Sequence, residues 1–377
     1  MKIILAPDSF KGSLTAAEAC RAMAEGVARA CPAATVVSIP MADGGEGTAD
    51  ALAAATGGRM IETPALGPLG EPRTGRFALL GDGRTAVVEM AAVSGLPLVP
   101  PAKRNPLHTT TYGTGSLMAA AMGAGADHLI VGIGGSATTD LGAGMAQALG
   151  VRFLDAASHP LVEPMTGARL ADVAAVDLSG LDPRLAACRI EVACDVDNPL
   201  LGPRGAAAVY GPQKGASPAD IAVLEANLAH VIGLIERRIG RTIRDLPGAG
   251  AAGGLGAGLV GFCGASLTGG IDLVLAASRF AERLAGADLV LTGEGRLDAT
   301  TARGKTISGI LRLARPAGIP VIALAGAVVD HDALGPLGLA GAHAIAPADM
   351  PLEQAMAEGR RLLAETAERI LRAWQRP

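Results

Sequence analysis

The stretch "IILAPDSFKGSLTAAEA", Ile3 to Ala19, reads as a strand, a turn and the start of a helix. Ile3–Ala6 is a short apolar run, and Thr15 with Glu18 three residues later forms a capping-box pattern for a helix over Thr15–Cys31. Between them stand Asp8, Ser9 and Lys11, polar groups at the carboxyl end of a strand, where open α/β sheets bind ligands. The same alternation continues along the chain. Strands are predicted at Thr35–Ile39, His128–Val131, Ile190–Cys194, Ala287–Thr292 and Val321–Ala325. Helices are predicted at Ala49–Thr56, Thr114–Gly125, Gly144–Leu149, Ser217–Ile239 and Leu352–Trp374. Gly75–Leu80 and Thr85–Met90 flank "GDG" and read as a hairpin, so part of the sheet is antiparallel. The fold class is α/β with mostly parallel, partly mixed sheets, Rossmann-like or flavodoxin-like.

Five strand ends carry one kind of chemistry. The first has "PDSFKGS". The second has "MADGGEGT", with Asp43 and Glu46. The third has "GIGGSATTD", with Gly134, Gly135, Ser136, Thr138 and Asp140. The fourth runs "DVDNPLLGPRGAAAVYGPQKGAS", with Asp195, Asp197, Asn198 and Lys214, and the fifth is "GEGRLD", with Glu294, Arg296 and Asp298. Each taken singly is an ordinary glycine and aspartate turn. Together they supply backbone N–H groups for anions, carboxylates for a hydrated Mg²⁺ and lysines for phosphate, the parts of a phosphoryl-transfer site.

Composition narrows the field. The chain has 377 residues, 50% of them hydrophobic but only 2% aromatic, enough for two domains whose helices pack tightly on sheets. A net charge of -4 gives no basic footprint for nucleic acid. The uncharged run Leu246–Ile271 is too rich in glycine for a membrane span and reads as loop and short helix, and Ile3–Ala6 is too short for a signal peptide. Cys20, Cys31, Cys188, Cys194 and Cys263 lack metal spacing and read as reduced packing thiols of a cytoplasmic protein. Of 32 basic residues only five are lysine, and Lys11, Lys214 and Lys305 each adjoin a glycine. Such a lysine can mark a place where a compact ammonium fits and a guanidinium does not.

Two motifs compete with this reading. "GIGGSA", Gly132–Ala137, fits the dinucleotide fingerprint, with Asp155 placed to close the next strand, so an NAD-dependent oxidoreductase acting on a small hydroxy acid is the alternative. Asp140 argues against it, because an acid repels a nearby pyrophosphate. "ATTARGKT", Ala299–Thr306, imitates a P-loop but lacks the first glycine and stands too far from its strand.

The strings "APDSFKGSL", "PMADGGEGT", "KRNPLHTTTYGTG", "GIGGSATTD", "ACDVDNPLLGPRGAAAVYGPQKGA", "GAGAAGGLGAGL" and "ADLVLTGEGRLD" span nearly the whole chain, which through them resembles the type I glycerate kinases of bacteria. The resemblance implies ATP-dependent phosphorylation of D-glycerate, with 2-phosphoglycerate the product usual for the family, and Mg²⁺ as cofactor. It implies two α/β domains with the active site in the cleft between them, one domain being discontinuous. The Pro/Gly-rich stretch Thr63–Gly75 and a point near Leu284 then give residues 1–65 plus 285–377 as the discontinuous domain and 66–284 as the inserted one. On this reading Asp8, Lys11, Asp195 and Glu294 are the catalytic candidates. Ser9, Asp43 and Arg296 would hold substrate, Gly134, Gly135, Ser136 and Lys214 would hold ATP, and Asp195 with Asn198 would hold Mg²⁺. Which carboxylate is the base stays open. The partners are small molecules, without nucleic acid or membrane, and a homodimer is allowed. The chain departs from the family pattern at Ser116, Thr139 and Leu141, where Glu, Asn and Gly are common.

Overall fold

The computed structural model describes residues 1–298, 306–329 and 335–374. The chain divides into two compact units. One comprises Met1–Asp43, Asp50–Gly57 and Ile271 onward, the other Gly44–Ala49 and Gly58–Gly270.

The first unit is built on a five-stranded parallel sheet. Its strands are β1 (Lys2–Pro7), β2 (Thr35–Ser38), β11 (Leu289–Leu297), β12 (Val321–Val328) and β13 (Gly341–Ala344), in the order β13-β12-β11-β1-β2. Counting within the unit, this is the flavodoxin-like order 2-1-3-4-5, whose direction reverses between β1 and β11. The apolar run of β1 is buried throughout, as a strand covered on both faces requires. Thr15 and Glu18 form the predicted capping box at the start of helix Ala16–Ala30. That helix lies against helix Gly359–Trp374 so closely that a Cβ on Gly26 would stand 2.2 Å from the Ala364 carbonyl oxygen.

The second unit holds a six-stranded mixed sheet. It contains β3 (Arg59–Leu66), β4 (Pro72–Leu79), β5 (Thr85–Glu89), β6 (His128–Gly132), β9 (Arg189–Ala193) and β10 (Ser266–Thr268), in the order β10-β9-β6-β5-β4-β3. β5, β6, β9 and β10 run parallel, and β3 and β4 complete the sheet antiparallel. A two-stranded ribbon, β7 (Arg152–Leu154) and β8 (Ala175–Asp177), stands apart from it. Helix Pro218–Ile239 is long and apolar enough to cross a membrane. Its apolar face, with Leu224, Leu228, Val231 and Ile235, is nevertheless buried in this unit's core.

Two sequence expectations need correction. Thr63–Gly75 is not a linker but most of the β3–β4 hairpin, with Pro64 on the edge strand, where a missing N–H costs no ladder bond. The divide in the chain therefore falls before Gly58 rather than after Ala65, and the later one falls at Gly270/Ile271 rather than near Leu284. "GEGRLD" is not a loop through its whole length: β11 continues to Leu297 because the eight-residue β12 offers it ladder partners past Gly293. The glycine-rich run Leu246–Ile271 contains a 13-residue helix, Ala251–Cys263, interrupted by left-handed backbone at Ala252–Gly254. The five cysteines are free, as expected, and burial pushes the Cys20 thiol up to about 12.

Candidate active site

In the first unit, the switch between β1 and β11 gathers Asp8, Ser9, Lys11 and Glu294 at the carboxyl ends of adjacent strands. The Asp8 N–H donates to the Gly293 carbonyl at 2.8 Å, joining the two strand ends. Gly295 passes under the loop closely enough that a Cβ there would lie 3.4 Å from the Lys11 nitrogen. The Asp8 carboxylate accepts from the Ser9 N–H and from the Thr306 hydroxyl, both at 2.6 Å. Thr306 opens helix Thr306–Ala314, so the carboxylate also stands near the positive end of a helix. Burial raises the Asp8 pKa, the two hydrogen bonds hold it down, and the charge of Asp43 raises it further. Lys11 and Asp43 are exposed, and Glu294 is half-buried. Arg296 is exposed and pairs with Asp298 at 3.3 Å. The P-loop-like motif, Lys305 included, lies outside the described residues except for Thr306.

In the second unit, the parallel strands β5, β6, β9 and β10 end on one rim. Gly44–Ala49, the acidic loop with its three glycines, lies across that rim. A Cβ on Gly44 would meet Ala193 and Gly270, and one on Gly132 would meet the Gly44 carbonyl. Glu89, the last residue of β5, accepts from the Ala49 N–H at 2.8 Å and so holds the start of helix Thr48–Thr56.

Next to it runs the loop after β6. Its carbonyls point into the protein: Gly135 accepts from the Leu96 N–H, Ala137 from the Thr109 hydroxyl, and Thr138 from the Lys214 ammonium at 2.6 Å. The N–H groups of Gly134, Gly135 and Ser136 find no acceptor among the described residues. Gly134 and Gly135 are exposed, and Gly135 has φ +74°, a conformation that favours glycine. Backbone N–H groups left without acceptors in this way are suited to an anion.

Behind this loop the chain is polar and sealed. Asp140 is fully buried and accepts from the Thr111 N–H and hydroxyl at 2.8 and 2.7 Å and from the Gly142 and Gly144 N–H groups at 3.2 Å. Its pKa is raised by burial against the pull of those donors. The sequence placed Lys214 on the ligand. The structure buries it to 1% exposure beneath the loop instead. Thr138 and Thr139 are fully buried, and neither hydroxyl has a partner among the described residues. Leu141, where the family commonly has glycine, takes φ +58° and is fully buried in the core.

The metal expectation does not fit. Asn198 is spent on its own loop: its amide N–H donates to the Arg204 carbonyl at 2.8 Å, and its oxygen accepts from the Tyr210 hydroxyl at 2.7 Å. Asp195 is exposed, and its carboxylate accepts from the Gly270 N–H at 2.8 Å, capping the helix that begins there. Among the described residues no three carboxylate, imidazole or thiol groups gather as a metal set.

Sequence reading missed Glu89, Thr306 and the buried role of Asp140. Glu89 obeys the rule used for the other loops, an acid at a strand end. The hairpin reading hid that β5 also runs parallel to β6 and ends on the same rim. Thr306 had no local signal, because its contact with Asp8 spans 298 positions.

A flavodoxin-like sheet with acids at its switch point, and a second sheet with backbone N–H groups free of acceptors among the described residues on its rim, define the α/β class of this protein. The profile of the glycerate kinase family matches residues 3–375, and the chain belongs to that family. It is 52% identical over 371 residues to a glycerate kinase of Bacillus subtilis (strain 168), covering 98% of this chain and 97% of that one. It is 48% identical to the glycerate 2-kinase of Escherichia coli (strain K12), covering 88% of this chain and 86% of the relative. A crystal structure of a protein of this family from Salmonella typhimurium LT2 superposes with a TM-score of 0.92 at 46% identity, covering 100% of this chain and 98% of the other.

Proposed function

We propose that this protein is an ATP-dependent kinase of D-glycerate and that its product is 2-phosphoglycerate. The observation that carries the nucleotide half of the reading is the run of N–H groups at Gly134–Ser136 without acceptors among the described residues, at a loop whose Gly134 and Gly135 are exposed. These groups would hold ATP phosphates. The dinucleotide alternative is set aside on family membership and on geometry. In a dinucleotide fold the pyrophosphate sits on the N-terminus of the helix after the glycine loop. Here Asp140 already takes the Gly142 and Gly144 N–H groups at the start of helix Ala143–Ala148.

Asp8 is the proposed base. Its raised pKa brings it toward the pH at which a carboxylate accepts a proton most usefully, and Thr306 and Ser9 fix its orientation. In the reaction the bond between the γ-phosphorus and the oxygen bridging to the β-phosphate breaks. A bond forms from that phosphorus to the glycerate hydroxyl oxygen, whose proton passes to Asp8. ADP leaves with the bridging oxygen. The exposed ammonium of Lys11 would neutralise the transferring phosphoryl group or the glycerate carboxylate, with Ser9, Asp43 and Arg296 as further substrate contacts. Glu294 is the second carboxylate within the same strand-end cluster. Asp195 is assigned to holding Gly270 rather than to proton transfer. Mg²⁺ would enter as part of the MgATP substrate, the form in which it commonly meets a kinase. An intracellular enzyme of small-molecule metabolism is the reading that ATP as substrate supports.

Purified protein incubated with MgATP and D-glycerate should release ADP only when glycerate is present. Coupling to enolase without a mutase should then give an immediate rise in phosphoenolpyruvate, since enolase dehydrates the 2-phospho isomer. Enolase signal that appears only after a mutase is added would overturn the regiochemistry, and glycerate-independent ADP release would overturn the kinase reading.

A further inference from the structure

Lys214 and Asp140 are the two fully buried charge-bearing side chains behind the loop, and the proposed chemistry uses neither. Lys214 ends the 3₁₀ turn Pro212–Lys214. The next residue, Gly215, has φ +93° and lies so close to Arg104 that a Cβ would stand 2.1 Å from its carbonyl oxygen. The lysine stem therefore leaves a fixed turn toward a fixed target, the Thr138 carbonyl at 2.6 Å. That carbonyl is confined from another side as well, because a Cβ on Gly253 would stand 2.0 Å from it. The other two anchors of the loop, at Gly135 and Ala137, are made by neutral donors. The anchor at Thr138 alone is made by an ammonium.

We infer that Lys214 is a positioning residue for the anion cradle: its ammonium holds the Thr138 carbonyl inward and lends positive potential from beneath to phosphates on the Gly134–Ser136 N–H groups. The inference rests on the reading that this loop takes the ATP phosphates. A buried ammonium is costly without a compensating anion, and its field is poorly screened by the surrounding protein. Asp140 is the charged group that faces it. Burial pushes the Lys214 pKa down to about 7, and the Asp140 carboxylate pulls it back up. A phosphate arriving on the loop would stabilise the same ammonium, whose positive charge offsets the repulsion that Asp140 exerts on that phosphate.

The test is direct binding of ATP and AMP to Lys214→Met, which keeps the length of the side chain and removes its charge. Titration calorimetry of the full chain should show the Kd for ATP raised by about tenfold or more, with AMP affinity and the KM for glycerate within about twofold of the parent. This split is what a general packing defect would not give. Unchanged ATP affinity, or equal losses for ATP and AMP, would overturn the inference. Should Lys214→Met fail to fold, Lys214→Gln keeps a donor for Thr138 and drops only the charge. It should show the same selective loss, and parent-like ATP affinity in that variant would count against the electrostatic role. The parent's glycerate-dependent turnover is measured alongside. A parent that binds ATP but does not phosphorylate glycerate ends the kinase reading and leaves this inference to the binding data. A parent that turns over, paired with variants that bind ATP normally, ends this inference alone.

Discussion

The loop after β1 and the loop after β6 handle charge in opposite ways. After β1 the charged groups face outward or lie near the surface: Lys11 is exposed, and Asp8 is only partly buried. After β6 the exposed residues are glycines, while the charges, Asp140 and Lys214, are sealed behind them. One loop presents side chains that can exchange protons or neutralise charge. The other presents backbone and spends its charges on holding that backbone still. Single-atom changes should therefore act on turnover in the first loop and on stability or ligand affinity in the second.

The sharpest separation is expected at Asp8. Asp8→Asn keeps the shape and loses the base, so kcat should fall by roughly 10²–10⁴-fold with the unfolding midpoint nearly unchanged. Near-parent turnover would move the base to Glu294. Asp140→Ala should do the reverse. It strands the donors at Thr111, Gly142 and Gly144 and removes the charge facing Lys214, a cost on the order of 3–5 kcal/mol in a urea unfolding series. A loss below about 1 kcal/mol would show that the buried carboxylate holds nothing.

Lys11→Ala should lower kcat/KM on the order of 10²-fold with little change in stability. Lys11→Arg should restore only a part, because a planar fork does not replace a point charge. Full activity in both would place Lys11 outside the site. The buried lysine of the other loop gives a pH signature instead. Its folded pKa is about 7 against an ordinary 10.5. Between those values the unfolded chain holds the proton and the folded protein does not, so stability rises with pH across that window. Measured against Lys214→Met, which has no such group, the parent should gain stability from about pH 7 to about pH 10.5. A constant difference would mean that the side chain is not buried as a titrating amine. The smallest effect is expected at Asp195. Asparagine can accept the same bond from Gly270, so Asp195→Asn should keep turnover within about threefold and stability within about 0.5 kcal/mol. A fall of 10²-fold would return Asp195 to the chemistry.

Much of this was legible in the residues. The capping box at Thr15, the helix start at Ser217, the buried run of β1 and the hairpin at "GDG" follow from local patterns and stand where they were expected. That Asp8, Lys11 and Glu294 stand beside one another across β1 and β11 was legible because strand positions can be read from periodicity. What local pattern could not supply was direction into or out of the protein. Lys11 and Lys214 each adjoin a glycine and read alike, yet one is exposed and the other buried. Only the course of distant segments, Arg104 against Gly215 and Gly253 against Thr138, decides that difference. Asn198 misled for the same reason: its acid-rich loop suggested a metal, but Tyr210 and Arg204 consume its amide.

The five-stranded sheet joins the two ends of the polypeptide, with Ile3 of β1 in register with Leu289 of β11. During synthesis β1 and β2 leave the ribosome well before the strands that complete their sheet. At about 5–20 residues per second, β1 waits on the order of 15–60 s with one apolar edge unsatisfied. Gly58–Gly270 carries its whole sheet within itself and can fold in that interval. The order of birth is thus the reverse of the order of completion. The nascent amino terminus, with its run of buried-type residues, is the part of this chain most in need of a chaperone's hold.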